Sequence, residues 1–471
     1  MPESQADVEL DARRVEAATE ANVSRRGGRR VRVLYALGPG DVVQYYRDLT
    51  GGRAVGLRPT DKDLSAGTPT FQMSMAFSQQ FLDWCDEAGR DGSGRDGAEG
   101  DGSGRDEAGR DEDRPDRARV VVHGISSSPR ADRIQAGAHC VENRPRRQIG
   151  NGRGWRFYVG SIWYGLRVVR WAVAERADVV IADSGTTEWI VLGLLRLFRI
   201  PVIAVLHNTL WPMGHRPRRG LARLLRGLDG FFFRHIAAAT VGVSPECVRQ
   251  VREIAGTPRG PVLECRAQFR TGFLSRVVPV AEASRSPFQV LFLGRLETIK
   301  GIWLMVDLAR RLETELAGAF RWRMVGYGSE FEALRAAIAA HGLGQVMEVE
   351  SSLPNEGAAL ETMGWAHAMI VPTMPDFCEG LAMTAAECVL AGRPVVVSSV
   401  VPAWEVLGGA ALKAEAGNVG SFVEAFKRLA FEPGCYEACQ RATAQVQGQF
   451  YDRSLGLGNV LGRAVVAVAG R

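Results

Sequence analysis

Short apolar runs recur along this chain with the spacing of parallel strands joined by crossover helices. Residues 31–37 (VRVLYAL), 178–183 (DVVIAD), 202–206 (VIAVL) and 237–244 (AAATVGVS) form one series. Residues 288–293 (FQVLFL), 320–325, 347–350, 368–371 and 394–399 form a second. Several are apolar almost throughout, as strands covered on both faces must be. The first run leads into Gly38-Pro39-Gly40-Asp41 and then a helical stretch through Tyr45, Tyr46 and Leu49. Strand, glycine turn and helix in that order open a doubly wound α/β domain. At 471 residues the chain is too long for one ordinary core, so two such domains are expected. Residues 284–287 (SRSP) read as the link between them.

Composition narrows the function classes. Hydrophobic residues make up 46% and charged residues 24%, the balance of a soluble globular chain. No apolar run approaches the roughly 18–20 residues of a membrane span. Residues 1–30 lack an apolar signal core and read as a polar, disordered arm in a cytoplasmic protein. The eight cysteines are scattered, and free thiols in a reducing compartment are expected. Cys435 and Cys439 fit one helix face, but no second pair completes a zinc site. A net charge of +5 is too mild to argue for nucleic acid.

Two stretches stand out from this background. Apart from Pro115, residues 87–119 collapse to Gly, Asp, Arg, Ser, Glu and Ala, with Gly-Arg-Asp repeated at 89–91, 94–96, 104–106 and 109–111. Nothing there can be buried, so a disordered surface insertion is expected. Residues 92–97 match the dinucleotide pattern G-x-G-x-x-G, but no strand precedes them and the match is rejected. Residues 143–176 instead interleave arginines with Trp155, Phe157, Tyr158, Trp163, Tyr164 and Trp171. Two readings stand: a core-packing helix with a solvated basic face, or an anchor on an anionic membrane or a lipid-pyrophosphate acceptor. A second basic stretch, residues 215–226, goes with the latter.

The chemistry concentrates in residues 376–394 (DFCEGLAMTAAECVLAGRP). Glu379 sits in a loop after the run 368–371. Gly380 allows close backbone approach, and a helix then opens near Thr384 and stops at Gly392. Its start offers free N–H groups and a positive dipole end, which suits phosphate. Glu379 and Glu387 can each accept hydrogen bonds from sugar hydroxyls. Upstream, residues 294–301 (GRLETIKG) follow a strand. Arg295 and Lys300 there can meet negative charge, Arg295 by a forked contact and Lys300 as a point charge.

With Glu379-x7-Glu387, Gly392-Arg393-Pro394-Val395-Val396 and Gly294-Arg295-x4-Lys300-Gly301, the chain resembles glycosyltransferase family 4. Those are retaining enzymes of the GT-B architecture, α/β, with two Rossmann-like doubly wound parallel-sheet domains facing a cleft. The resemblance is specific over residues 288–399. It implies a metal-independent transferase without a cofactor, moving a sugar from a UDP-sugar or GDP-sugar donor to a saccharide or lipid-linked acceptor. Cell-envelope or exopolysaccharide synthesis is the implied setting.

Carried over residue by residue, Glu387 would hold the ribose hydroxyls and Glu379 those of the sugar. Arg295 and Lys300 would stabilise the departing diphosphate, and the amides of Gly380 and Leu381 would position the sugar. Gly326 in the turn 326–328 and the glycine loop Gly38–Gly40 would border the donor. His207, just past a strand's carboxyl end, would face the reaction centre. The resemblance implies an acceptor-side domain at 31–283, a donor domain at 284–450 and a last segment, 451–471, crossing back to the first. Where the family has an Asn-Gly-Val-Asp type turn, this chain reads Cys265-Arg-Ala-Gln-Phe-Arg270. A catalytically silent scaffold and a nucleotide-sugar epimerase are the alternatives. A dehydrogenase is disfavoured, because position 43 is Val and the dinucleotide fingerprint is incomplete.

Overall fold

The computed structural model describes residues 9–15, 17, 30–38, 42–43, 81, 84–85, 120–128, 131–136, 139–144, 155–269, 271–278, 280, 286–351, 353 and 356–469. The insertion at 87–119, Gly40 and most of the helical stretch after it lie outside these residues.

Among the described residues the apolar runs become two sheets. The first contains β1 (Val31–Ala36), β2 (Val120–Ser126), β3 (Asp132–Ala136), β4 (His139–Asn143), β5 (Val179–Asp183), β6 (Val202–Leu206), β7 (Ala239–Gly242) and β8 (Val262–Glu264), in the order β3-β4-β2-β1-β5-β6-β7-β8. The second contains β9 (Phe288–Leu293), β10 (Phe320–Val325), β11 (Met347–Glu350), β12 (Ala368–Val371), β13 (Val395–Ser398) and β14 (Ala411–Ala414), in the order β11-β10-β9-β12-β13-β14. All described pairs are parallel except β3 with β4, which form an antiparallel edge.

Strand order reverses beside β1 in the first sheet and beside β9 in the second. Open α/β sheets bind ligands at such switch points, outside the carboxyl ends of the strands. Burial explains the composition of the runs. Every residue of β5, β6 and β7 is buried. Along β9 the side chains alternate, Val290 and Phe292 entering one core and Leu291 and Leu293 the other.

Helices α1 (Trp155–Ala174), α2 (Gly220–His235) and α3 (Pro245–Ala255) cover one face of the first sheet. A 3-10 segment, Trp189–Phe198, lies between α1 and α2. In the second domain α4 (Ile302–Glu315) follows the Gly294–Gly301 loop, and α5 (Met383–Leu390) follows the loop that carries Glu379. After α6 (Cys435–Val446) the chain returns to the first domain. Helix α7 (Leu457–Ala469) packs against β5 and β7, and its Leu457, Leu461 and Val465 join the first core.

Residues 265–269, the described part of the variant junction, take part in this return. The Arg266 N–H donates to the Leu455 carbonyl at 2.8 Å, and the Phe269 N–H to the Phe450 carbonyl at 3.1 Å. The Phe269 and Phe450 rings meet edge to face, 6.0 Å apart. The segment is therefore fastened to the crossover strand of chain by its backbone.

One expectation is corrected. Part of the arm at 1–30 is ordered on the first domain: residues 9–15 are helical and Val15 is buried in its core. Asp11 lies 2.8 Å from Arg252 and accepts the Val262 N–H at 3.1 Å. Among the described residues of the arm, Val15 and the Asp11 carboxylate make the contacts named here, too little patterning to stand out in a polar sequence.

Candidate active site

The two switch points face each other, and glycines set how closely their loops approach. A side chain at Gly380 would place its Cβ 1.9 Å from the His207 carbonyl oxygen and 3.1 Å from Val243. The loop carrying Glu379 therefore rests on the end of β6, across the cleft. Within the second domain the same device recurs. A Cβ at Gly326 would meet the Gly294 carbonyl at 1.7 Å, and one at Gly301 (φ 78°) the Pro372 carbonyl at 2.0 Å. The loops after β9, β10 and β12 are thus stacked backbone on backbone, and only glycine permits it.

That stacking brings Lys300 to Glu379. Their Nζ and Oε2 atoms lie 2.6 Å apart, both side chains mostly buried. The Thr373 hydroxyl donates to the same oxygen at 3.1 Å. The Lys300 ammonium also sits 4.5 Å from the centroid of the Phe377 ring. Arg295 lies on the same loop and donates to both oxygens of Glu297 at 2.9 Å. A third of its side chain is solvent-exposed, so the guanidinium can exchange that exposed partner for a stronger anion.

Glu387 differs from every other carboxylate described. It lies on α5, has no exposed surface, and neither carboxyl oxygen has a hydrogen-bond partner. Burial alone pushes its carboxyl well above the usual carboxylate range. A buried, unpaired carboxyl costs stability, and such groups mark functional positions. The start of α5 is also strained. Ala382 takes φ 66° and ψ 91°, in the left-handed half of the map, and no side chain caps the first turn. Strain of this order, about 1–3 kcal/mol, accumulates where a loop is held for function. Leu381, just before it, is buried.

On the first-domain side, three strand ends contribute to one cluster. Asp183, at the end of β5, accepts the Tyr35 hydroxyl at 3.0 Å and the Gly38 N–H at 3.2 Å. His207 Nε2 lies 3.1 Å from the same carboxylate. Gly38 is fixed a second time, its carbonyl accepting the Ser126 hydroxyl at 2.7 Å. Burial, and secondly the charge of Asp183, push the Tyr35 phenol well above its ordinary value, so it stays a hydrogen-bond donor. Burial holds the Cys378 thiol above its ordinary value, and the charge of Arg226, on α2, works against that shift.

Comparison with known proteins accords with this geometry. The family model for group 1 glycosyl transferases matches residues 287–431, and that for glycosyltransferase family 4 matches residues 113–263. Between them they take in well over half of the chain and both domains. The chain is a glycosyltransferase of the GT-B, family 4 kind.

Solved structures agree on the fold. Sucrose-phosphate synthase from Thermosynechococcus elongatus aligns with a TM-score of 0.61 at 13% identity, covering 92% of this chain and 98% of that one. The lipopolysaccharide outer core galactosyltransferase WaaB aligns at 0.56 and 13%, covering 92% and 99%. HepE of Anabaena, solved in complex with UDP, aligns at 0.54 and 12%, covering 92% and 98%. No curated protein matches the chain in sequence.

In this glycosyltransferase the structure brings Lys300, Glu379, Gly380 and His207 to one cleft, with Gly38 tied to the His207 cluster. Gly326 acts as the contact that locks two loops together. Sequence reasoning missed Tyr35, Asp183, Thr373 and Arg393. Asp183 looked like the last residue of an ordinary strand. Arg393 is fully buried, and its guanidinium donates to the carbonyls of Ala366, Ala391, Val278 and Gly364. It staples the turn after α5 to its neighbours, and only the unusual Gly-Arg-Pro context hinted at it.

Proposed function

We propose that this glycosyltransferase takes its sugar from a nucleotide-sugar donor, UDP- or GDP-linked, and passes it to a saccharide or lipid-linked acceptor with retention and without a metal ion. One observation carries the reading: Glu387, fully buried with both oxygens unpartnered, eight positions from a Glu379 held by Lys300. A ribose diol supplies two O–H donors, which is what an isolated buried carboxylate lacks. Glu379, already fixed by Lys300 and Thr373, is placed to accept from sugar hydroxyls.

In the reaction the bond from the anomeric carbon to the diphosphate oxygen breaks. A bond from the anomeric carbon to the acceptor oxygen forms on the same face. The acceptor's proton passes to the departing phosphate, so no separate general base is required. Lys300 and Arg295 neutralise the charge that grows on the diphosphate, the part a divalent metal would otherwise take. HepE, of the same fold, is solved in complex with UDP, which supports a nucleotide-sugar donor. Polysaccharide assembly is the setting we infer.

Calorimetry of UDP, GDP and ADP in chelator-containing buffer tests this. Binding of one diphosphate, abolished in Glu387→Ala, is expected. Binding that survives in Glu387→Ala removes the ribose role. Dependence of turnover on added metal removes the metal-free mechanism, and an inverted anomer in the product removes retention.

A further inference from the structure

Eleven of the fifteen exposed large apolar side chains among the described residues lie on three adjacent elements of the first domain. Helix α1 exposes Val159, Ile162, Trp163 and Leu166, spaced so that they share one face. Trp163 is 63% exposed although most of its neighbours on the opposite face are buried. The 3-10 segment exposes Leu194, Leu197 and Phe198, with Leu197 at 78%. Helix α2 exposes Leu221, Leu224, Leu228 and Phe231, again on one face. A surface of this size on one side of a protein calls for a partner.

The three elements are fitted side by side. A Cβ at Gly165 of α1 would meet Thr187 at 2.3 Å, and one at Gly193 of the 3-10 segment would meet Ile236 at 2.8 Å. Thr187 donates to the Ser161 carbonyl of α1 at 2.8 Å, and Arg196 to the His235 carbonyl of α2 at 2.7 Å. The outer faces therefore form one continuous surface.

Its charge is one-sided. Arg156, Arg167, Arg170, Arg196, Arg223 and Arg234 are exposed among the apolar side chains. The only acidic residue within the three elements is Asp229, which is buried 2.9 Å from Arg226. Apolar side chains interleaved with arginines, with no exposed carboxylate within the three elements to repel phosphate, are the features of an interfacial helix surface. No described helix is long and apolar enough to cross a membrane. We propose that this face seats the protein on an anionic lipid surface, lying in the interface without spanning it.

The placement bears on the acceptor. Helices between parallel strands run back along the sheet, so α1 and α2 both begin at the carboxyl ends of the strands, the edge where the cleft opens. Val159 and Leu221 lie nearest that edge. The face also runs back to Leu197, Phe198 and Phe231 at the far ends of their elements, so a membrane contacted here lies along the side of the first domain and borders the cleft mouth at one edge, a placement that suits a lipid-linked acceptor. That second step rests on the transferase reading, whereas the docking does not.

The test is co-sedimentation with vesicles of phosphatidylcholine alone and with about a third phosphatidylglycerol, at low and high salt. The full-length protein is expected to pellet with the anionic vesicles and be released by salt. The triple variant Trp163→Glu, Leu197→Glu, Leu224→Glu is expected to lose at least tenfold in partitioning. Val278→Glu, an exposed apolar site off this face, should partition as the parent does. Arg170→Glu with Arg223→Glu, at two exposed positions, should lower anionic binding while leaving the melting temperature unchanged. Diphosphate binding by the triple variant should equal the parent's. A parent protein that stays in the supernatant overturns the proposal, as does a triple variant that pellets equally well. A parent dimer made monomeric by the triple variant, with no vesicle binding, makes the face a self-interface instead. Vesicle binding by a protein that binds no diphosphate leaves the docking standing and removes the transferase reading and the lipid-linked acceptor with it.

Discussion

The Lys300 ammonium lies 2.6 Å from Oε2 of Glu379, although the two residues are 79 positions apart. The pair joins the loop after β9 to the loop after β12, at the switch point of the second sheet. It fixes a cation and a carboxylate in one place before any substrate arrives, which is the preorganised electrostatics that transfer from a diphosphate requires. Lys300→Met keeps the unbranched stem, one atom shorter, and removes the charge. Turnover is expected to fall by on the order of 10²–10³-fold, with a smaller loss in diphosphate affinity. Lys300→Arg should recover little, because a planar guanidinium does not fit a point-charge position beside Phe377. Steady-state kinetics with separate diphosphate titrations would decide it, and a Lys300→Met variant with parental turnover would sink the leaving-group role.

Glu387 makes a pH prediction. Burial holds its carboxyl well above the usual range, so in the free protein the neutral form persists to higher pH than for an exposed glutamate. Two hydroxyl donors from a ribose would favour the carboxylate and pull the pKa back down. Binding should then release a proton, and affinity should rise with pH up to the free-state pKa. Calorimetry in two buffers of different ionisation enthalpy would show it, and identical enthalpies in the two would count against the ribose contact. Stability runs the opposite way. A raised folded pKa means that the folded state binds more protons than the unfolded one. Its contribution is present below the unfolded value near 4.5 and is lost as pH rises through the folded value. Glu387→Gln should therefore raise the melting temperature at neutral to alkaline pH, about 2–4 °C per kcal/mol for domains of this size, while weakening diphosphate binding.

What the sequence disclosed follows from how local each feature is. Residues 202–206 declare themselves as a buried strand because every position is apolar, and residues 288–293 do so with Gln289 as the one exception. The Glu379 to Glu387 spacing is legible because loop, helix and glycine stop fall within twenty residues. The Tyr35–Asp183–His207 cluster is not legible. It depends on β1, β5 and β6 ending at one level, and the sequence separations of 148 and 24 positions carry no trace of it. The antiparallel edge strand β3, residues 132–136, has the same difficulty, since DRIQA is mostly polar and its partner lies across a short turn. Nor do residues 189–198 distinguish a 3-10 segment from an α-helix, because periodicity alone cannot fix the hydrogen-bond step.

Gly380 gives a test of how the domains meet. Its missing side chain leaves room for the His207 carbonyl, which a Cβ would approach to 1.9 Å. Gly380→Ala cannot be absorbed by a flexible neighbour, because the obstacle is backbone. The loop carrying Glu379 must retreat from β6, widening the cleft. Turnover should fall at least tenfold, with diphosphate affinity less affected, because Glu387 sits on α5 away from the clash. Small-angle scattering should report a slightly larger radius of gyration. Parental activity in Gly380→Ala would show that the cleft operates in a more open form.

Asp183 holds His207 and the Gly38 loop in place. It accepts from Tyr35 at 3.0 Å and from the Gly38 N–H at 3.2 Å, and lies 3.1 Å from His207 Nε2. Three groups converge on one buried carboxylate, and a carboxylate can accept from all of them. Asn at 183 preserves the shape but turns half of the acceptor into a donor. At least one of the three contacts must then become donor against donor, at a cost of about 1–3 kcal/mol. The contact to His207 is the one on the cleft side, so its orientation should suffer first. Asp183→Asn is expected to cut turnover about 10–100-fold by misplacing that supporting group, with diphosphate affinity unchanged because Glu387, Arg295 and Lys300 lie in the other domain. Asp183→Glu should recover part of the loss, since it restores an acceptor at the price of an extra methylene. Equal losses in turnover and diphosphate affinity would mean that the cluster merely holds the first domain together, and the His207 role would have to be given up.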